Sequence, residues 1–141
     1  MRRKIRKHIR YIYPPKKLKP KEILYTQSGS IMLNKSRDDR ISYSVLRNKK
    51  NDTTKIENIS YEIQVNGNWE WVVRYDDHGG VGQLHRHVRV SLIDQIDVES
   101  SVGIRKYRNK SYQLTWVCND IKRNYLNFRF RFLKHSGLDL Y

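Results

Sequence analysis

The chain has 141 residues, 29 Lys plus Arg against 14 Asp plus Glu, and a formal net charge of +15. That length suits one domain with a buried core, and a mean hydropathy of -0.83 with only short apolar runs argues against a membrane span. A lone cysteine, Cys118, excludes an internal disulfide and most cysteine-based zinc sites. No cofactor is implied. The N-terminus lacks the apolar segment of a signal peptide, so a cytoplasmic protein is expected.

Residues 1–22 carry ten basic side chains (Arg2, Arg3, Lys4, Arg6, Lys7, Arg10, Lys16, Lys17, Lys19, Lys21) against one acid, Glu22. Pro14, Pro15 and Pro20 oppose a helix through this stretch and favour extended geometry. So strong an excess of positive charge favours a polyanionic partner, RNA or DNA before an anionic membrane. Lysines would meet phosphates while Tyr11 and Tyr13 stack on bases. The plainer reading is a solvated, flexible arm ahead of a single domain over 23–141.

Within that domain, Ile31–Leu33 reads as a short strand and Ser36–Arg40 as a charged turn. Ile41, Tyr43 and Val45 alternate with serines, and Ile59, Tyr61, Ile63 and Val65 alternate with polar residues, so both segments read as strands. Asn66-Gly67 signals a hairpin. Two further apolar-alternating segments, Trp69–Asp76 and Leu84–Leu92, flank a glycine-rich connection, Asp77–Gln83.

Register decides which side chains share a face. A two-residue turn at Asn66-Gly67 would put Trp69 and Trp71 opposite Gln64 and Glu62. A three-residue loop pairs Val65 with Trp69, Ile63 with Trp71, Tyr61 with Val73 and Ile59 with Tyr75, and gathers the large apolar residues on one face. The second register is preferred, which makes Trp69 and Trp71 core residues. In the next hairpin the same logic sets Val73 against Val88, Arg74 against His87, Asp76 against His85, Val72 against Arg89 and Trp71 against Val90. Glu62, Gln64, Glu70, Arg74, Asp76, His85, His87 and Arg89 would then line the solvent face.

Ile93, Ile96, Val98 and Ile104 suggest another extended piece, followed by a basic cluster at Arg105, Lys106, Arg108 and Lys110. Ser111 is a reasonable N-cap for a helix to about Lys134. Leu114, Val117, Ile121, Tyr125, Phe128 and Phe132 recur at helical spacing, while Lys122, Arg123, Arg129 and Arg131 fall on the outer face. The expected fold is α+β: an antiparallel meander of about four strands on one C-terminal helix, preceded by the basic arm.

His85 and His87 fall on one side of a strand, with Asp76 opposite and His78 in the loop. Three readings fit. Two histidines and a carboxylate are a known metal-ligand set. The same groups suit acid/base cleavage of RNA, one imidazole taking the 2′-hydroxyl proton and another protonating the leaving oxygen, with Arg74 or Arg89 on the phosphorane. Asp76 would favour a protonated His85, and Arg74 a neutral His87. The third reading is a set of half-exposed cross-strand pairs with no chemistry. Gly79, Gly80 and Gly82 lack the lysine and helix of a P-loop. Cys118 has no histidine partner by spacing, so a small, partly buried residue is expected.

The run Trp69-Glu70-Trp71-Val72-Val73-Arg74-Tyr75-Asp76-Asp77-His78-Gly79, with His85-Arg86-His87, resembles the signature of a family of small, uncharacterised, largely archaeal prokaryotic proteins. That family is distantly similar to TumE-type toxins of toxin–antitoxin pairs, which share Arg-Tyr-Asp followed by His-x-His. The likeness covers about residues 60–134. The chain departs from the pattern around Asp77-His78 and in the length of Gly80–Leu84. What the resemblance implies is a nucleic-acid-linked, toxin-like protein with an antitoxin partner, in which Arg74, Tyr75, Asp76, His85, Arg86 and His87 carry the family positions.

Overall fold

A computed structural model describes residues 23–77, 84–93, 97–101 (backbone only) and 109–138. The basic arm over 1–22 and the loop that carries His78 and the three glycines lie outside the described residues.

Six strands follow one another in a single antiparallel sheet whose spatial order is the chain order. They are β1 (Tyr25–Met32), β2 (Asp39–Arg47), β3 (Thr53–Val65), β4 (Asn68–Asp76), β5 (His85–Arg89) and β6 (Asp97–Ser101), and helix α1 (Lys110–His135) follows. The α+β meander with its C-terminal helix is as expected, but with more strands. β1 is longer than the three residues that read as a strand because its solvated sequence YTQSGSIM offers almost no apolar alternation. Asp39 and Arg40, which read as part of a turn, open β2.

Asn66 and Gly67 both have positive φ, 51° and 82°, the geometry of a two-residue hairpin turn. Near the turn Val65 pairs with Asn68, Gln64 with Trp69 and Glu62 with Trp71. Beyond a bulge opposite Tyr61/Glu62, the pairs become Tyr61 with Val73 and Ile59 with Tyr75. The preferred three-residue loop is therefore wrong near the turn and right at the far end. The bulge absorbs the difference, leaving Val72 as the extra residue of β4. Its consequence is a correction: Trp69 and Trp71 are half-buried and outside the core cluster. They share a face with Glu62 and Gln64, turned away from the helix.

The core lies between the other face and α1: Ile41, Ile59, Tyr61, Ile63, Val73 and Tyr75 from the sheet meet Val117, Ile121, Phe132 and Leu133. Burying such side chains contributes about 1.5–3 kcal/mol each, and this is why the apolar helix stripe seats where it does. The N-cap is Asn109, not Ser111; its side chain accepts from Ser111 N at 2.8 Å. At the other end Gly137 takes φ 68°. Leu138 N then donates to Leu133 O at 2.9 Å and Gly137 N to Lys134 O at 3.2 Å, a Schellman closure.

Two polar clusters pin helix to sheet. Asp39, 1% exposed, accepts from the Tyr61 hydroxyl and Asn34 Nδ2, and from Arg129 at 3.0 Å on both oxygens. Arg129 thus points into the sheet, contrary to the outer-face expectation. Burial alone would lower its pKa, but the Asp39 carboxylate outweighs that and raises it. Farther along, Asp120 accepts from the Tyr75 hydroxyl and from Asn124 Nδ2 at 2.9 Å, with Arg86 at 3.8 Å.

Both clusters can be tested through stability. Asp39→Ala should cost about 3 kcal/mol or more in urea unfolding, since it strands Arg129 and Tyr61 without their partner. Burial, and then the hydrogen bond to Asp39 or Asp120, raise the Tyr61 and Tyr75 phenols far above the ordinary 10.0. The unfolded chain therefore gives up these protons first. Their contribution is whole below pH 10 and falls as pH rises above it, by at most about 1.4 kcal/mol per tyrosine per pH unit. Thermal melts between pH 8 and 11.5 should show that alkaline loss, and Tyr61→Phe or Tyr75→Phe should each shrink it.

Candidate functional site

β4 and β5 pair Val73 with Val88, Arg74 with His87, Tyr75 with Arg86 and Asp76 with His85, the register expected from the sequence. Strand alternation then splits the Arg-Tyr-Asp and His-Arg-His runs between two faces. Tyr75 and Arg86 face the helix and meet at Asp120. Tyr75 also meets Trp116 edge-on, at 6.5 Å between ring centres. Arg74, Asp76, His85 and His87 share the opposite, outer face.

On that face the Asp76 carboxylate lies 3.7 Å from His87 Nε2, with both side chains partly sheltered. This contact is diagonal across the ladder, beside the direct Asp76–His85 pairing that the register gives. The Arg74 guanidinium stacks over Trp71, 4.4 Å from the ring centre, and its buried Nε–H has no hydrogen-bond partner among the described residues. Next along, Arg40 lies 4.0 Å over Trp69 and bonds Glu62 at 2.7 Å. Two tryptophan–arginine stacks thus lead to the histidine–aspartate cluster. Cation–π contact of this kind contributes roughly 0.5–2 kcal/mol and leaves guanidinium edges available to an anion.

Arg89 is placed differently from the solvent-face site expected of it. It donates to Glu70 at 2.9 Å, to the Trp71 carbonyl at 3.3 Å and to the Leu92 carbonyl at 3.2 Å. Its guanidinium also lies 5.6 Å from the Phe132 ring. Those donors tie the end of β5 to β4. Asp77, read from the sequence only as the start of the glycine-rich connection, fixes the end of β4: its carboxylate accepts from Ile56 N at 3.2 Å and pairs with Lys110 Nζ at 3.0 Å. Val72 and Trp71 fall outside the β4–β5 pairing, so the expected Val72–Arg89 and Trp71–Val90 pairs do not form.

Among the described residues no group of three His, Cys, Asp or Glu side chains is arranged to hold a metal; His78 is not one of them. The tryptophan–arginine stacks escape a sequence reading that places both tryptophans in the core. The signal for them is the Asn66-Gly67 turn, whose two-residue register already sets the rings opposite Gln64 and Glu62.

The family model described as a domain of unknown function, DUF7718, matches residues 26–138. The chain belongs to that family. No curated protein and no solved structure gives a significant match. The DUF7718 match takes in the sheet, both faces of the β4–β5 hairpin and the whole of α1, so the split of the two motifs lies wholly within it.

Cys118 sits half-buried on α1, and burial pushes its thiol up from 9.0 while Lys122 opposes this weakly. Since the thiolate is the reactive form, labelling by a disulfide reagent at pH 7.5 should run at least about tenfold slower than in the urea-unfolded chain.

Proposed function

We propose that this protein acts on RNA through the outer face of its sheet, as a toxin-like ribonuclease whose working groups are Arg74, Asp76, His85 and His87. The observation that carries this reading is their convergence on one face at the end of a row of arginine-stacked tryptophans. Each feature has a matching use. A strand repeat of two sets His85 and His87 roughly 6.5 Å apart along β5, a separation that brackets a single phosphodiester. One imidazole takes the 2′-hydroxyl proton, the other delivers a proton to the 5′-oxygen, and Arg74 meets the negative charge that builds on phosphorus. Asp76, beside His87, orients that ring. The Arg40 and Arg74 guanidiniums lying over Trp69 and Trp71 offer flat cationic planes to bases and backbone.

The basic arm adds affinity without sequence preference, through Arg2, Arg3, Lys4, Arg6, Lys7, Arg10, Lys16 and Lys17. The likeness of the Arg-Tyr-Asp and His-x-His pattern to TumE-type toxins supports both the substrate class and an antitoxin partner. A second reading, a nucleic-acid-binding protein without catalysis, is favoured by the stacks themselves, which suit binding and require no chemistry.

Substituting His85→Ala and His87→Ala separately, then measuring cleavage of a generic RNA together with thermal stability, decides between the two. The ribonuclease reading expects cleavage to fall at least about 100-fold in each, with a stability change of about 1 kcal/mol or less. Wild-type turnover in both variants, or no cleavage by the parent, leaves the binding reading. Removing residues 1–22 should flatten the salt dependence of RNA binding, by roughly 0.7 in log–log slope for each phosphate that the arm neutralises.

A further inference from the structure

On the other side of β5, between that strand and the C-terminal half of α1, lies a groove of about 380 Å³. Phe128, Arg131, Phe132 and His135 enter its lining from the helix at spacings of three, one and three residues, one continuous stripe. Arg86 and Arg89 line it from the strand. Among the described residues no carboxylate belongs to the lining. The groove therefore joins three guanidinium groups and an imidazole to two aromatic rings, within the size range of a small-molecule site.

The four polar groups are not equivalent. Arg89 is held by Glu70 and two carbonyls and acts as a wall. Arg86 reaches Asp120 only at 3.8 Å and keeps its side chain 34% exposed. Arg131 and His135 are exposed. One end of the groove is fixed where Leu92 N donates to Ser136 Oγ at 2.8 Å, itself bonded to the Phe132 carbonyl at 2.6 Å. The partly exposed Arg86 fork and the exposed Arg131 beside it suit a phosphate, and phenylalanine rings next to them suit a flat, apolar body.

We infer that this groove is a second ligand site, separate from the sheet face, that binds a phosphorylated nucleoside: phosphate on Arg86, Arg131 and His135, base against Phe128. The nucleotide comes either free or as the 5′-phosphorylated end of an RNA strand, and one ligand series separates these sources. Equilibrium binding by calorimetry on the full chain at 150 mM salt would use AMP, inorganic phosphate, adenosine, and an RNA trinucleotide with or without a 5′-phosphate. AMP should bind one to one, at least tenfold tighter than phosphate or adenosine. Arg131→Gln and His135→Gln, both at exposed positions, should each weaken it at least fivefold, while Lys122→Gln on the helix exterior should not. Arg74→Gln should leave AMP binding unchanged, which keeps this site distinct from the sheet face. If the 5′-phosphorylated trinucleotide also loses affinity in Arg131→Gln, the strand end is the source; if AMP alone does, the free nucleotide is. Absent AMP binding, AMP no tighter than phosphate or adenosine, or AMP binding unchanged by Arg131→Gln and His135→Gln, overturns the assignment.

Discussion

The Asp39 carboxylate is the constraint on which the rest of the structure depends. It is almost fully buried, so it is tolerable only if its lone pairs are filled and its charge answered. Tyr61, Asn34 and Arg129 do this from three separate elements: the neighbouring strand β3, the turn before β2, and the far half of α1. A sheet alone cannot satisfy the group, because the countercharge arrives from ninety residues away. Helix docking and carboxylate burial therefore form together. Asp120 mirrors the arrangement from the helix side, receiving Tyr75 from β4 and facing Arg86 from β5. Each cluster is a tyrosine, an acid and an arginine, and each ties α1 to the sheet.

The candidate site inherits its rigidity from these clusters without touching them. Tyr75 and Arg86 are locked on the inner face, and the pleat then dictates where Arg74, Asp76, His85 and His87 must stand on the outer one. One short hairpin thereby serves two purposes, with alternate residues assigned to stability and to chemistry. A substitution at Tyr75 or Arg86 would be expected to loosen the outer cluster through the backbone, so loss of function there would not by itself identify a catalytic residue.

Much of this is legible in the sequence, for a physical reason. The β4–β5 register can be read because Val73 and Val88 must both find the core, and a shift of one residue would bury a histidine. The helix stripe is legible for the same reason. Three features are not. The bulge at Val72 leaves no compositional mark: it satisfies a tight Asn66-Gly67 turn and an apolar inner face at once, and each alone argues for a different register. Arg129 looks like its exposed neighbours on α1, and only the tertiary position of Asp39 separates it from Arg131. The cap falls two residues earlier than expected because Asn109 and Ser111 are both good N-cap residues, and the chain uses the first.

The bulge also explains the chemistry of the outer face. Without it, Trp69 and Trp71 would fall in phase with Val73 and enter the core, leaving Arg40 with Glu62 alone and Arg74 without its indole. One inserted residue reverses the phase of the tryptophans while keeping Val73 and Tyr75 inward. Each indole then comes to lie beneath a guanidinium. A half-buried aromatic face costs some apolar burial, and a β-bulge disturbs the ladder where it occurs. The stacks offset part of that cost. What they leave is a row of flat, positively edged surfaces running into Asp76 and His87, with the direction of that row fixed by the hairpin.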